Sequence, residues 1–229
     1  MSGSLTVVGT GIGAAQLTAE ARAAIAGADD VLYLVGDPMS ERAILELCPE
    51  ATSLGPCYGH GSRRAAYAAM TEAILAPARD GRRVCAAFYG HPGVFVLPGG
   101  EAIRRARREG IEARMLPAVS ALDCLFADLG VDPATSGCQL YEAGDFSRRR
   151  PAIEPAAALV LWQAGVVESR TELVAVLRRS YPASHELVLY EASPYPGVAP
   201  LTDRVALEAL VEATLTERTT VYVPPLARP

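Results

Sequence analysis

Short apolar runs alternate along the chain with stretches whose apolar residues return every three or four positions. Residues 5–8, 31–34 and 84–87 hold no charged residue, as strands buried on both faces of a sheet do. Helical periodicity follows each of them. A helix starts near Thr18, with Glu20 in its first turn where a carboxylate suits the helix dipole. Residues 40–47 read as a shorter helix ended by Pro49. Ser62 caps a long one reaching Ala78, and Gly110 closes another over 101–109. A strand at 111–116 leads to Ser120, which caps a helix through Leu129. Such alternation predicts an α/β fold.

The second half predicts strands at 139–143, 158–163, 187–192 and 219–223, apolar runs with Glu142, Gln163 and Glu191 at their tips. Helices are expected over 171–180 and 206–214. Residues 144–156, charged and proline-rich, read as a linker or surface hairpin. Pro117 marks the crossing between the halves. The sequence therefore predicts two α/β domains, 1–117 and 118–229.

Two glycine-bearing stretches follow strands. Gly9-Thr10-Gly11-Ile12-Gly13 sits between a strand and a helix, the arrangement that binds dinucleotides and phosphates. Its spacing is GxGxG rather than GxGxxG, and Ala14, Ala15, Gln16 and Leu17 intervene before the helix. Asp37, after the next strand, stands where a ribose-binding acid would. This loop argues for a ligand near the backbone without naming a nucleotide. The second stretch is Phe88-Tyr89-Gly90-His91-Pro92-Gly93-Val94-Phe95. Its glycines and proline force a sharp turn at the carboxyl end of a strand, where open α/β sheets hold their ligands. Tyr89 brings a phenol there. Taken alone, the stretch also reads as a turn with two core aromatics. Arg63 and Tyr67, four apart, share a helix face, and by spacing alone they are a solvent-facing pair.

Composition narrows the function. Net charge is −5 and the pI about 5.3, which argues against broad nucleic-acid binding. Arginines nonetheless cluster. Arg104, Arg105, Arg107 and Arg108 read as the solvated face of a helix, whereas Arg148, Arg149 and Arg150 fit an acidic partner segment. Five cysteines without a CxxC pair suit buried free thiols in a reducing cytoplasm, and the three histidines show no metal-ligand spacing. With no signal peptide and no apolar run of membrane-spanning length, a cytoplasmic protein is expected.

These residues carry a resemblance. The loop from Val8 to Gly13, the 88–95 stretch and Val119-Ser120-Ala121 resemble the tetrapyrrole-methylase fold, whose members bind S-adenosyl-L-methionine in a cleft between two α/β domains. FYGHPGVF, residues 123–133, Tyr141-Glu142-Ala143, residues 159–163 and residues 221–225 look most like the borosin peptide-backbone N-methyltransferases, the omphalotin-type self-methylating precursors. The likeness runs over residues 5–225. It implies an active site of Tyr58, Arg63 with Tyr67, and Tyr89. It places the cofactor against Gly90, His91, Gly93 and Val94, with Ser120, Ala121, Gln163, Ala192 and Thr220 as further contacts and S-adenosyl-L-homocysteine as product.

Fused relatives continue into a helical clasp and a substrate peptide beyond the point where this sequence stops. The resemblance thus implies a split enzyme acting on a separate precursor, as a homodimer or a heterotetramer with that precursor, with no metal, nucleic acid or membrane. Three departures stand out: Ala118 replaces a usual glycine, Leu122 a usual polar residue, and the loop between Tyr58 and Arg63 is shorter. Other readings are a corrin-type small-molecule methyltransferase, a non-catalytic peptide- or cofactor-binding protein, and a nicotinamide enzyme, against which the glycine spacing counts.

Overall fold

The computed structural model describes residues 3–226, apart from the side chain of His60. Strands β1 (Ser4–Gly9), β2 (Asp30–Leu34), β3 (Thr52–Ser53), β4 (Arg83–Phe88) and β5 (Glu112–Met115) form one sheet in the order β3-β2-β4-β1-β5. Every pairing in it is parallel. Parallel neighbours need crossovers, supplied by α1 (Ala19–Ala26), α2 (Pro38–Leu47), α3 (Arg63–Arg79) and α4 (Leu97–Arg108). Thr18, Asp37 and Ser62 cap the first three through side-chain oxygens.

Connections β1–β2 and β2–β3 run one way across the sheet, whereas β3–β4 and β4–β5 run the other. Right-handed crossovers then put α1 and α2 on one face and α3 and α4 on the opposite face. The packing follows. Val8, Ile25, Val31 and Ile44 share one core with Cys85 and Ala87 of β4. Met70, Ile74 and Ile103 share the other with Val84, Ala86 and Phe88. The neighbours β1 and β4 therefore send their chains to opposite faces, which is a topological switch point.

The second sheet joins β6 (Cys138–Glu142), β7 (Ala158–Trp162), β8 (Glu186–Glu191), β9 (Leu201–Ala206) and β10 (Thr220–Val223) in the order β6-β7-β10-β8-β9. Only β6 and β7 pair in parallel. Its core of Leu159, Leu161, Leu187 and Val221 is covered by Phe146 of α7 (Ala143–Arg149) and by Leu173 and Leu177 of α8 (Arg170–Leu177). Before β6 come α5 (Ala121–Leu129) and the single turn α6 (Pro133–Ser136). One compact unit holds the chain up to Asp123 with Pro194–Val198; the other holds Cys124–Ser193 and the chain from Ala199 onward. The line drawn from sequence lay between 117 and 118, and the division here falls six residues later, inside α5.

Four local expectations change. Residues 144–149 form α7 rather than a linker, because Glu142 caps it by accepting the Asp145 N–H at 2.5 Å and Phe146 is buried. α4 begins at Leu97 rather than 101, with Pro98 in its first turn. The helix expected over 206–214 is one 3-10 turn, Leu207–Val211. β9 escaped notice because it is an exposed edge strand carrying Thr202, Asp203 and Arg204. Among the described residues no helix is long and apolar enough to cross a membrane.

Candidate active site

All five strands of the first sheet point the same way, so their carboxyl ends share one edge. The loops after them carry Tyr58, Tyr89, Gly90, His91, Gly93, Val94 and Ser120, and the helices that follow begin with Arg63 and Ala121. Topology thus gathers on one edge residues that lie far apart in sequence. The five loops, 10–18, 35–37, 54–62, 89–96 and 116–120, contain no lysine or arginine.

At the switch point the two glycine loops are tied to each other. Gly90 N–H donates to the Gly11 carbonyl at 2.9 Å and Thr10 N–H to the Phe88 carbonyl at 2.8 Å. Gly11 and Gly90 adopt φ of +75° and +70°, left-handed conformations that glycine enters freely. A Cβ on Gly9 would lie 2.1 Å from the Gly90 carbonyl oxygen and 2.6 Å from Ala118 Cβ. The N–H groups of Ile12 and Gly13 both donate to Gln16 Oε1, at 2.7 and 3.2 Å. Loop 9–13 is therefore no phosphate cradle; its glycines serve loop-to-loop packing. Asp37 caps α2, its Oδ1 accepting the Ser40 N–H at 2.8 Å, while its Oδ2 is buried with no partner among the described residues.

The turn after β4 is closed by the Val94 N–H on the His91 carbonyl, 3.0 Å, and by the Gly93 N–H on His91 Nδ1, 3.0 Å. A Cβ on Gly93 would stand 3.1 Å from His91 Cε1 and 3.3 Å from Met115 Sδ, so only a small residue fits without displacing them. Phe95 holds a left-handed φ of 57°.

Tyr58 lies on the 3-10 turn Gly55–His60 and is 51% exposed. Arg63 and Arg64 open α3, whose first turn has no acidic residue. Cations at the positive end of a helix dipole oppose it by about 0.3–1 kcal/mol each. Arg63 is exposed and has no ion pair among the described residues. One turn on, Tyr67 is half-buried against the core that holds Met70 and Ile74, and its carbonyl accepts the Thr71 hydroxyl at 2.8 Å. Tyr67 thus belongs to the core-facing stripe of α3 rather than to a solvent-facing pair, and Arg63 extends that stripe past the end of the core.

In the second unit, β6, β7 and β8 run in one direction, so Glu142, Gln163 and Glu191 share an edge. Ala192 follows β8 there, and Thr220 opens β10 beside it. Gln163 sits at φ 56° and ψ 37°, a left-handed conformation costly for a side chain, and its amide makes no hydrogen bond among the described residues. Glu191 accepts the hydroxyls of Thr216 and Thr219 at 2.6 and 2.5 Å, and Thr219 in turn accepts the Ala164 N–H at 3.1 Å. The tip of β8 thereby fixes the loop beside Gln163, a link with no sequence signal. Ser120 is less free than expected: its N–H and hydroxyl both donate to Asp123 Oδ2, at 2.7 and 2.6 Å, in a reciprocal cap of α5.

Comparison with known proteins bears on this arrangement. Residues 4–199 match the profile described as Tetrapyrrole (Corrin/Porphyrin) Methylases. The chain is 41% identical over 99% of its length to the methyltransferase/ribosomally synthesized cyclic peptide dendrothelin A precursor of Dendrothele bispora, and covers 58% of that protein. It is 41% identical over 99% of its length to the omphalotin A counterpart of Omphalotus olearius, covering 59%. The chain thus spans about three-fifths of the length of these relatives. Among solved structures, uroporphyrin-III C-methyltransferase from Thermus thermophilus complexed with S-adenosyl homocysteine aligns with a TM-score of 0.70 at 20% identity, over 97% of this chain and 92% of that one.

Proposed function

The chain belongs to the family of tetrapyrrole (corrin/porphyrin) methylases, and on that premise we propose that it is an S-adenosyl-L-methionine-dependent methyltransferase acting on backbone amides of a separate precursor peptide. The observation that carries this reading is that Tyr58, Arg63 and Tyr89 share one sheet edge whose loops hold no lysine or arginine, with Tyr67 one turn into the helix that Arg63 opens. Carbonyls and aromatic faces suit a cationic sulfur, and loop 89–96, against which it would lie, carries no lysine or arginine. When bound, S-adenosyl-L-methionine supplies an electrophilic methyl group and is left as S-adenosyl-L-homocysteine. The backbone of Gly90, His91, Gly93 and Val94 holds it on the first unit, with Ser120 and Ala121. Gln163, Ala192 and Thr220 are further contacts in this reading, and the strained Gln163 offers an amide with hydrogen bonds to give.

A peptide nitrogen is a poor nucleophile because its lone pair is delocalised into the carbonyl. Arg63 donates to the carbonyl oxygen of the acceptor amide and stabilises the negative charge that gathers there. In this reading Tyr67, one helical turn from Arg63, is the base that takes the proton given up by the amide nitrogen as the new nitrogen–methyl bond forms. Tyr58 and Tyr89 set the plane of the peptide bond. A tetrapyrrole polycarboxylate would want a broad basic lining, whereas the loops of this edge hold no lysine or arginine and its basic residues are Arg63 and Arg64 at the start of α3.

Tyr67→Phe should slow methylation by about 100-fold or more, the scale of a lost general base, while calorimetry finds cofactor affinity unchanged. Arg63→Lys should also be slow, since a point charge does not reproduce a planar fork at a carbonyl. Near-normal turnover in both variants would remove them from the chemistry.

A further inference from the structure

Arg148, Arg149 and Arg150 take no part in the site above, and they close α7 instead of lying in a linker. Arg148 and Arg149 share Asp145, and Arg150 reaches Glu172 of α8 at 2.5 Å. Arg150 is the C-cap residue of α7, held at φ 47° and ψ 54°. Glycine or asparagine is the ordinary choice for a left-handed position at a helix end. Pro151 directly after it restricts the backbone further. A long cationic side chain kept in a strained conformation asks for a reason other than the turn.

The surroundings supply one. Arg150 and Arg179 line a cavity of about 320 Å³ whose walls include Phe146, Ile153 and Val176, with Ser180 adding a hydroxyl. Arg179 has no ion pair among the described residues and is exposed, so its guanidinium faces solvent uncompensated. Glu172 engages Arg150 from one side and fixes the direction of its fork. The cavity thus pairs two guanidinium groups with an apolar wall, in a protein whose overall charge is −5. A phosphate backbone or an anionic bilayer calls for a broad basic face, whereas this opening is small and walled.

We infer that this cavity docks an acidic segment of polypeptide, with a carboxylate on Arg179 and Arg150 and a neighbouring apolar side chain against Pro151, Ala152 and Ile153. Guanidinium forks match carboxylates in two hydrogen bonds, which gives such a contact direction as well as charge. The identity of the partner rests on the peptide-methyltransferase reading: the segment is a handle on the precursor, outside the residues that are methylated. Docking there raises the local concentration of the acceptor segment without adding contacts at the chemistry.

Fluorescence anisotropy with a short fluorescein-labelled peptide of alternating Glu and Leu tests this on the full chain. The wild type should bind it, and the same peptide with Gln for Glu should bind at least about tenfold more weakly, as should Arg179→Ala with the acidic peptide. Arg150→Gly is the second variant, because it relieves the backbone; it should keep or raise the melting temperature and still lose the peptide. No binding by the wild type overturns the proposal. So does equal binding by the variants, or equal competition by a labelled-free oligonucleotide or anionic vesicles. Cofactor affinity is measured on the same proteins: peptide docking without cofactor binding would count against the methyltransferase reading and leave the docking site standing.

Discussion

Gln163 holds a backbone conformation that few side chains adopt, and its neighbours show what maintains it. The Ala164 N–H is tied to the Thr219 carbonyl, and Thr219 is tied to Glu191. Gln163→Gly should therefore raise stability by about 1 kcal/mol in a urea titration, by removing strain, while weakening cofactor binding. A variant that loses stability, or binds the cofactor unchanged, would show that Gln163 serves packing alone. Sequence marked Gln163 as the polar tip of a strand, yet its left-handed φ was invisible there, since glycine and asparagine are the usual signals for it. Tyr181 is a second informative residue. It is buried, stacks on His185 with ring centroids 4.9 Å apart, and its hydroxyl has no partner among the described residues. Burial, helped by the charge of Glu154, pushes its phenol from 10.0 up to about 12. The folded chain keeps that proton to higher pH than the unfolded chain does. Its contribution to stability is thus complete below pH 10 and is lost as pH rises towards 12. Tyr181→Phe should flatten this alkaline loss and, by removing an unsatisfied hydroxyl, gain about 1 kcal/mol at neutral pH. Melting temperatures across that range read both effects.

Between residues and domains, the tie between the loops after β1 and β4 is the element on which the candidate site depends. Gly9→Ala would drive a Cβ to 2.1 Å from a main-chain oxygen, which no side-chain rotation relieves. It should cost about 1–3 kcal/mol by overpacking and shift the turn that presents Gly90, His91 and Gly93, so that cofactor affinity falls with it. Gly36→Ala, on the same edge with nothing within 4 Å of its Cβ, should change neither quantity. Equal behaviour of the two variants would dissociate the loop tie from the site. The strands of the first sheet were legible because parallel strands buried on both faces read as unbroken apolar runs. α7 and the start of α4 were not, because a polar segment with one buried Phe146, and a Pro98-Gly99-Gly100 sequence, both imitate loops. The glycine loop misled in a related way. Its glycines did mark close approach, but the groups that approach are Gly90, Gln16 and Pro194 of the same chain.

At the scale of the whole molecule, alternating strands and helices were enough to give two α/β domains, and the stretches 8–13, 88–95 and 119–121 together gave the family. The division inside α5 left no mark in composition, and although Pro194-Tyr195-Pro196-Gly197-Val198 reads as a turn, its proline and glycine do not say which unit it joins. The proposed set of Tyr58, Arg63, Tyr67 and Tyr89 came from resemblance alone. Spacing gives Arg63 and Tyr67 a shared face, but only the fold shows that this face continues the core stripe of α3 to the sheet edge, and that Arg63 stands against the helix dipole. Homodimer formation belongs to the same reading, and light scattering of the purified chain should give twice the monomer mass. The central claim is the reaction itself. Its most direct test is intact-mass spectrometry of the chain incubated with S-adenosyl-L-methionine and a small protein encoded beside it, with fragmentation to place any added mass. The account predicts mass steps of one methyl on the partner, located on backbone nitrogens and absent with Tyr67→Phe. An unchanged partner while the cofactor is bound, or methylation confined to side chains, would contradict it.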